Sequence, residues 1–282
     1  MHDDDPSNDE RFRGRKRRTP QGRARAQDLR GGAKHDPLAA LRERGLVEEV
    51  VTELKSGKEA DVVLARGAEG LIAVKIHRDP GAGGFRPEPA YLEGRRVPRG
   101  RLRKVLDRGA RSGLPPELAL WVLHETRMLW TLREAGVPVP EPLLGPGAHD
   151  VLAGGRTVAM RFVGEEDGTP APRLADAGLD EDALQDAWRQ TVEAIVTMLR
   201  AGIVHGDLSA WNLLWHRGTV VVIDVPQAVE VHWSPHAATL FARDVRSLVG
   251  SLRGMGLELD AERVEADLRT RAGLPPVGPL AL

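Results

Sequence analysis

The sequence has no cysteine. That excludes a disulfide framework, a thiol nucleophile and a thiolate-held metal, and it fits a reducing cytosol. No apolar run reaches membrane-spanning length, and the N-terminus has no apolar signal core, so a cytoplasmic protein without membrane association is expected. Aromatic residues are scarce at 4%, with one Tyr against six Trp. Charge of one sign is also lacking: 40 Lys and Arg balance 41 Asp and Glu. The balance hides a polarised start. Residues 2 to 10 are acidic, while residues 11 to 34 are dominated by Arg and Lys (Arg13, Arg15, Lys16, Arg17, Arg18, Arg23, Arg25) with almost no apolar residue. Such a segment buries too little surface to offset its ordering entropy, so residues 1–35 read as a disordered charged arm. The arm is either a solubilising tail or an electrostatic contact for RNA, and without interleaved aromatics it would not stack on bases. His232 and His236 have no third ligand spaced to join them and read as satisfied or surface histidines.

The richest segment is His205-Gly206-Asp207-Leu208-Ser209-Ala210-Trp211-Asn212-Leu213-Leu214, followed by Val220-Val221-Val222-Ile223-Asp224. Asp207, Asn212 and Asp224 have the order and spacing of a protein-kinase-like phosphoryl-transfer site. There one Asp orients the attacking hydroxyl, and an Asn and a second Asp hold the magnesium ions that bridge ATP phosphates. Hard oxygen ligands suit Mg²⁺, which takes one or two carboxylates plus substrate phosphates. The local pattern agrees. An amphipathic run (Leu184, Trp188, Val192, Ile195, Leu199) predicts a helix ending at Ala201-Gly202, and 213–215 and 220–223 predict two strands turning at Arg217-Gly218.

Upstream, Lys75 stands alone inside the apolar run Leu71 to Ile76, where a kinase strand carries its phosphate-pairing lysine. Helical spacing over Leu118 to Glu134 offers Glu125 as the ion-pair partner of Lys75, with Glu117 and Glu134 as competitors. Residues 55–62 keep only Gly57 and Val62 of a glycine-rich phosphate loop; Ser56 and Lys58 would add donors. Thr157 to Met160 reads as a strand leading to Arg161-Phe162-Val163-Gly164, the expected adenine hinge. Residues 37–54 (Leu38, Leu41, Leu46, Val50, Leu54) read as one or two amphipathic helices. Ala238 to Leu252 and Ala261 to Leu268 read as helices, and the tail from Leu274 reads as frayed.

Together these segments resemble the RIO family of atypical kinases. The resemblance rests on Ser56 to Ala60, Ala135 to Pro142, Pro170-Ala171-Pro172, His205 to Leu213 and Ile223 to Val229, in family order, and covers about residues 37 to 255. It implies an α+β, two-lobed protein-kinase-like fold: a small antiparallel-sheet N-lobe with an ion-pair helix (36–163, with a flexible insert at about 79–113) and a shortened, mainly helical C-lobe (164–282). Only 58 residues follow Asp224 and no Ala-Pro-Glu occurs among them, in keeping with the shortened plan. The resemblance implies binding of ATP with Mg²⁺ or Mn²⁺, Asp207 as catalytic residue, Asn212 and Asp224 as metal ligands, and Lys75 with Glu125 as the phosphate-positioning pair. Ser56, Gly57, Lys58, Glu59 and Val62 would line the phosphate loop, and Met160, Arg161, Val163 and Pro172 the adenine side. The expected activity is a serine/threonine protein kinase or ATPase acting on a protein substrate or itself, with Asp224 as the residue modified in an aspartyl-phosphate cycle. Two alternatives stay open: a small-molecule kinase of the aminoglycoside-phosphotransferase type, and an ATP-switched factor that assembles on RNA or a ribosomal particle.

Overall fold

Strand-forming sequence up to Arg161 builds one sheet. In the computed structural model, which describes residues 36–78 and 114–280, β1 (Glu49–Ser56), β2 (Ala60–Gly67), β3 (Gly70–His77) and β4 (Thr157–Arg161) pair antiparallel in the order β1-β2-β3-β4. The arm expected at 1–35 and the insert expected at 79–113 lie outside the described residues. Alternation along β3 is regular: Ile72, Val74 and Ile76 enter a small core with Leu38, Leu41, Val47, Val50, Val63 and Ala65, while Lys75 and His77 share the opposite face. At Gly67 even a Cβ would lie 2.4 Å from the Leu46 carbonyl oxygen, so only glycine fits between β2 and the segment leading into β1.

One expectation is overturned here. Residues 37–54 are not one or two helices: α1 spans only Ala39–Glu43, and the chain is extended from Glu49. Gly45, at φ 71°, turns the chain out of the helix. The β-branched Val50-Val51-Thr52 then finds backbone partners along β2. Leu38, Leu41 and Val50 are buried as a helical stripe would require, yet they reach the core from a turn of helix and a strand.

The second core belongs to the helices. α2 (Pro116–Glu134) packs Leu118, Val122, Leu129 and Leu132 into a cluster shared with α4 (Glu181–Arg200), α5 (Ala237–Gly254) and α6 (Ala261–Ala272); the short α3 (Ala148–Ala153) adds Val151 and Leu152. Asp180 caps α4 by accepting from the Ala183 N–H, and Glu181 and Asp182 favour its positive end. α6 is capped likewise by Asp260 and ends at Gly273 in the left-handed region. Two small ribbons complete the helical half: β5 (Ile203–Val204) with β8 (Val229–Glu230), and β6 (Leu213–His216) with β7 (Thr219–Val222). Arg217 and Gly218, both at positive φ, form the two-residue turn that matches strand twist.

The tail is not frayed through residue 280. Leu274 and Leu280 are buried, and Arg269 donates to the Gly278 carbonyl at 2.9 Å while its guanidinium lies 5.6 Å from the Phe241 ring centroid. No helix among the described residues is long and apolar enough to cross a membrane.

Candidate active site

The two cores meet at Lys75. From β3 its ammonium donates to Glu125 Oε1 of α2 at 2.7 Å and to Asp224 Oδ1, just past β7, at 2.7 Å. Burial alone would lower the lysine pKa, but the two carboxylates outweigh it and raise it. Glu125 is 2% exposed; burial pushes its pKa up, and Lys75 and His77 together bring it below the ordinary range. Lys75 also holds the carboxyl of Asp224 down to about 2. Glu117 and Glu134, the competitors for Lys75, are exposed on α2.

Asp224 sits at φ 64°, a left-handed conformation that typically costs a non-glycine residue about 1–3 kcal/mol. Its neighbours fix it there. The Ile223 N–H donates to the Asn212 carbonyl at 3.0 Å, and His205 Nε2 lies 3.1 Å from the Ile223 carbonyl. His205 Nδ1 accepts from the Asp207 N–H at 3.3 Å, so Nε2 is the nitrogen whose proton faces the Ile223 carbonyl. Buried His205 thus ties the loop before Asp207 to the strand end before Asp224.

Asp207 faces solvent at the cleft. Desolvation by surrounding atoms raises its pKa, and the charge of Asp224 adds to that against His205, Arg243 and the Asn212 amide. Asn212 donates Nδ2 to the Asp207 carbonyl at 2.7 Å and to Asp207 Oδ2 at 3.3 Å. With its amide N–H groups so used, Asn212 Oδ1 is the acceptor it can offer a cation. Among the described residues no group of three or more His, Cys, Asp or Glu could hold a metal alone. Two oxygen donors, Asn212 and Asp224, beside a cleft fit Mg²⁺ or Mn²⁺ whose remaining ligands come from phosphates and water.

Asp244, unmarked in the sequence reading, braces this loop. On α5, buried, it accepts from the Gly206 N–H at 2.7 Å and the Leu208 N–H at 3.1 Å. Burial still raises its pKa, so an ionised carboxylate here is costly, and what it supplies is the geometry of the loop whose two N–H groups it accepts. Arg243 donates to the Gly206 carbonyl from the other side. The sequence signal was present: a lone carboxylate on the apolar stripe Phe241, Val245, Leu248.

The phosphate-loop residues are placed between β1 and β2. The Gly57 N–H donates to the Ala60 carbonyl at 3.0 Å, and a Cβ at Gly57 would meet that oxygen at 3.0 Å, so the turn is tight. Ser56 Oγ donates to Asp61 Oδ1 at 2.6 Å and accepts from Arg78 Nη2 at 3.1 Å, so its hydroxyl is engaged inside the loop. Lys58 is exposed. Glu59 reaches the charged cluster: burial raises its pKa, Lys75 lowers it, and Asp224, Asp207 and Glu125 raise it again. Val62 is on β2 opposite Lys75. On the adenine side Met160 is half-buried at the end of β4, while the Arg161 guanidinium points to Glu69 at 2.8 Å, leaving backbone as the hinge's contribution. The Val163 carbonyl accepts from the Ala171 N–H at 3.1 Å, and exposed Pro172 accepts from the Trp215 N–H at 3.0 Å, tying the hinge to β6.

A four-stranded antiparallel sheet with a lysine–glutamate pair to one helix, over a helical half carrying an Asp–Asn–Asp loop, defines a protein-kinase-like fold. Residues 66–264 match the family model described as RIO domain. The serine/threonine-protein kinase RIO1 of Chaetomium thermophilum is 30% identical over 234 residues, 78% of this chain and 42% of the relative. The protein of the same name from Homo sapiens is 32% identical over 204 residues, 71% of this chain and 33% of the relative. The RIO-type serine/threonine-protein kinase Rio1 of Haloferax volcanii is 35% identical over 210 residues, 74% of this chain and 65% of the relative. The chain belongs to the RIO family. Its matched segment spans less than two thirds of each of these three relatives.

Proposed function

We propose that this protein transfers the γ-phosphoryl group of ATP to a serine or threonine hydroxyl, on a protein substrate or on itself. The observation that carries the reading is the single Lys75 ammonium 2.7 Å from both Glu125 and Asp224. It sets a fixed positive charge beside an oxygen ligand that a divalent ion could share with phosphates. When bound, Mg²⁺ or Mn²⁺ would neutralise charge on the phosphate oxygens, held by Asn212 and Asp224. Lys75 would pair with the nonreacting phosphates, and Glu125 would keep it aimed. Asp207 would accept a hydrogen bond from the incoming hydroxyl and orient it in line. Its raised pKa brings it closer to the proton it would take up, and Asn212 fixes its rotamer. The work is alignment and electrostatics.

RIO1 kinases by name act as serine/threonine-protein kinases, which favours a protein hydroxyl over a small molecule as acceptor. A cytoplasmic location and an RNA-directed role for the arm at 1–35 belong to the same proposal. The test is incubation of the purified chain with γ-labelled ATP and Mg²⁺ or Mn²⁺. Acid-stable label on Ser or Thr supports the kinase reading. Hydroxylamine-labile label that disappears in Asp224→Ala would replace it with an aspartyl-phosphate ATPase, and absence of both label and free phosphate would remove it.

A further inference from the structure

Two side chains of β3, not one, engage the Glu125 carboxylate. Lys75 holds Oε1 at 2.7 Å; His77, two residues on and on the same face, places Nε2 2.9 Å from Oε2. Both partners of the second contact are buried, at 3% and 2% exposure. The terminal torsion of a glutamate is broad and roughly two-fold, so a lysine alone leaves the carboxylate free to rotate. His77 Nε2 and Glu125 Oε2 have no aligned hydrogen bond to any other group, and at 2.9 Å a small turn of the ring or carboxylate would bring the two into one and fix the carboxylate plane.

The backbone around His77 is itself fixed. Its N–H donates to the Arg156 carbonyl at 2.9 Å, and it pairs in register with Ala60, the last residue of the phosphate loop. On the far side of the pair, His124 Nε2 lies 2.8 Å from the Ala228 carbonyl, so α2 is also tied to the chain beyond Asp224. The titratable and charged groups around the Glu125 carboxylate are Lys75, His77, Asp224 and, from the turn between β1 and β2, Glu59.

We propose that His77 is a positioning residue for phosphoryl transfer: its Nε2, poised 2.9 Å from Glu125 Oε2, supplies the donor that locks the carboxylate so that Oε1 stays on Lys75. His77 touches no reacting atom in this assignment. The role rests on the phosphoryl-transfer reading, and the test separates the two.

Full-length wild type, His77→Leu, His77→Gln and Lys75→Met are compared for ATP turnover, KM for ATP and melting temperature. His77→Leu should lose about tenfold or more in kcat/KM, as expected for deleting a hydrogen bond to a buried charge. His77→Gln, whose amide can donate to Oε2, should recover most of that loss. A brace for stability alone would shift the melting temperature of both variants and leave kcat and KM unchanged below it, which would overturn the assignment. A ligand-free readout stands beside the kinetics: the ¹H–¹⁵N spectrum should show a slowly exchanging His77 Nε2–H that is lost in Glu125→Ala. Its absence in the wild type also overturns the inference. An inactive wild type that still shows this proton would keep the bond and remove the catalytic reading, and the positioning role with it.

Discussion

The proposed catalytic centre and the proposed phosphate loop lie close together, yet they are held by different means. Around Asp207 and Asp224 the constraints are buried: His205 joins two backbone segments, Asp244 takes two N–H groups of one loop, and Glu125 lies beneath Lys75. Around Ser56 to Ala60 the constraint is a part-exposed cluster in which Arg78 binds Asp61 at 2.6 Å and Ser56 at 3.1 Å. Exposed pairs of this kind contribute roughly 0.2–1 kcal/mol, whereas breaking a buried pair costs about 3–5 kcal/mol. The contacts of the centre are therefore the costlier to break, and those of the loop the cheaper.

The comparison is sharpest at Lys75. Lys75→Met leaves Glu125 buried without its main counter-charge, so turnover should fall by about a hundredfold or more and stability by about 3 kcal/mol. Urea unfolding beside ATP turnover reads both, and a fully stable variant would contradict the buried-pair account. Asp244→Ala leaves the Gly206 and Leu208 N–H groups without their acceptor. Turnover should drop about tenfold, and the stability loss should stay near 2 kcal/mol because a costly buried charge goes with the bonds. If only stability changed, Asp244 would be no part of the site's geometry.

Asp224 gives a pH signature. Its pKa in the fold, about 2, lies below the ordinary 3.8, so its contribution to stability is present above pH 4 and is lost as pH falls toward 2. Urea midpoints measured through that window should fall more steeply for wild type than for Asp224→Asn; parallel curves would mean that the Lys75–Asp224 pair does not form. The smallest effect is expected at the loop. Arg78→Ala should raise KM for ATP about two- to fivefold with little change in kcat or melting temperature, since the bonds lost are exposed or only part-buried. A hundredfold loss there would erase the difference between the two regions.

Much of the centre was legible because its chemistry is written in short spacings. Asp207, Asn212 and Asp224 are set by one loop and one hairpin, and Lys75 by its isolation in an apolar strand. Glu125 could be chosen over Glu117 and Glu134 because it lies on the apolar stripe of α2. Asp244 offered one signal, a lone carboxylate on an apolar stripe, and His77 none; each acquires its role when a helix or strand packs against a segment far away in the chain. The helix expected over 37–54 failed for a related reason: its apolar spacing serves a turn of helix and a strand equally, and pairing with β2 decides between them. The tail from Leu274 looked frayed because no single residue in it marks the grip of Arg269.

The most direct test of the central claim is a paired measurement on Asp207→Asn: MgATP affinity by titration calorimetry and label transfer from γ-labelled ATP. With Lys75, Glu125, Asn212 and Asp224 intact, the variant should bind within a few-fold of wild type and lose about a thousandfold or more in transfer. Transfer near the wild-type rate would contradict the assignment of Asp207 as the residue that orients the acceptor.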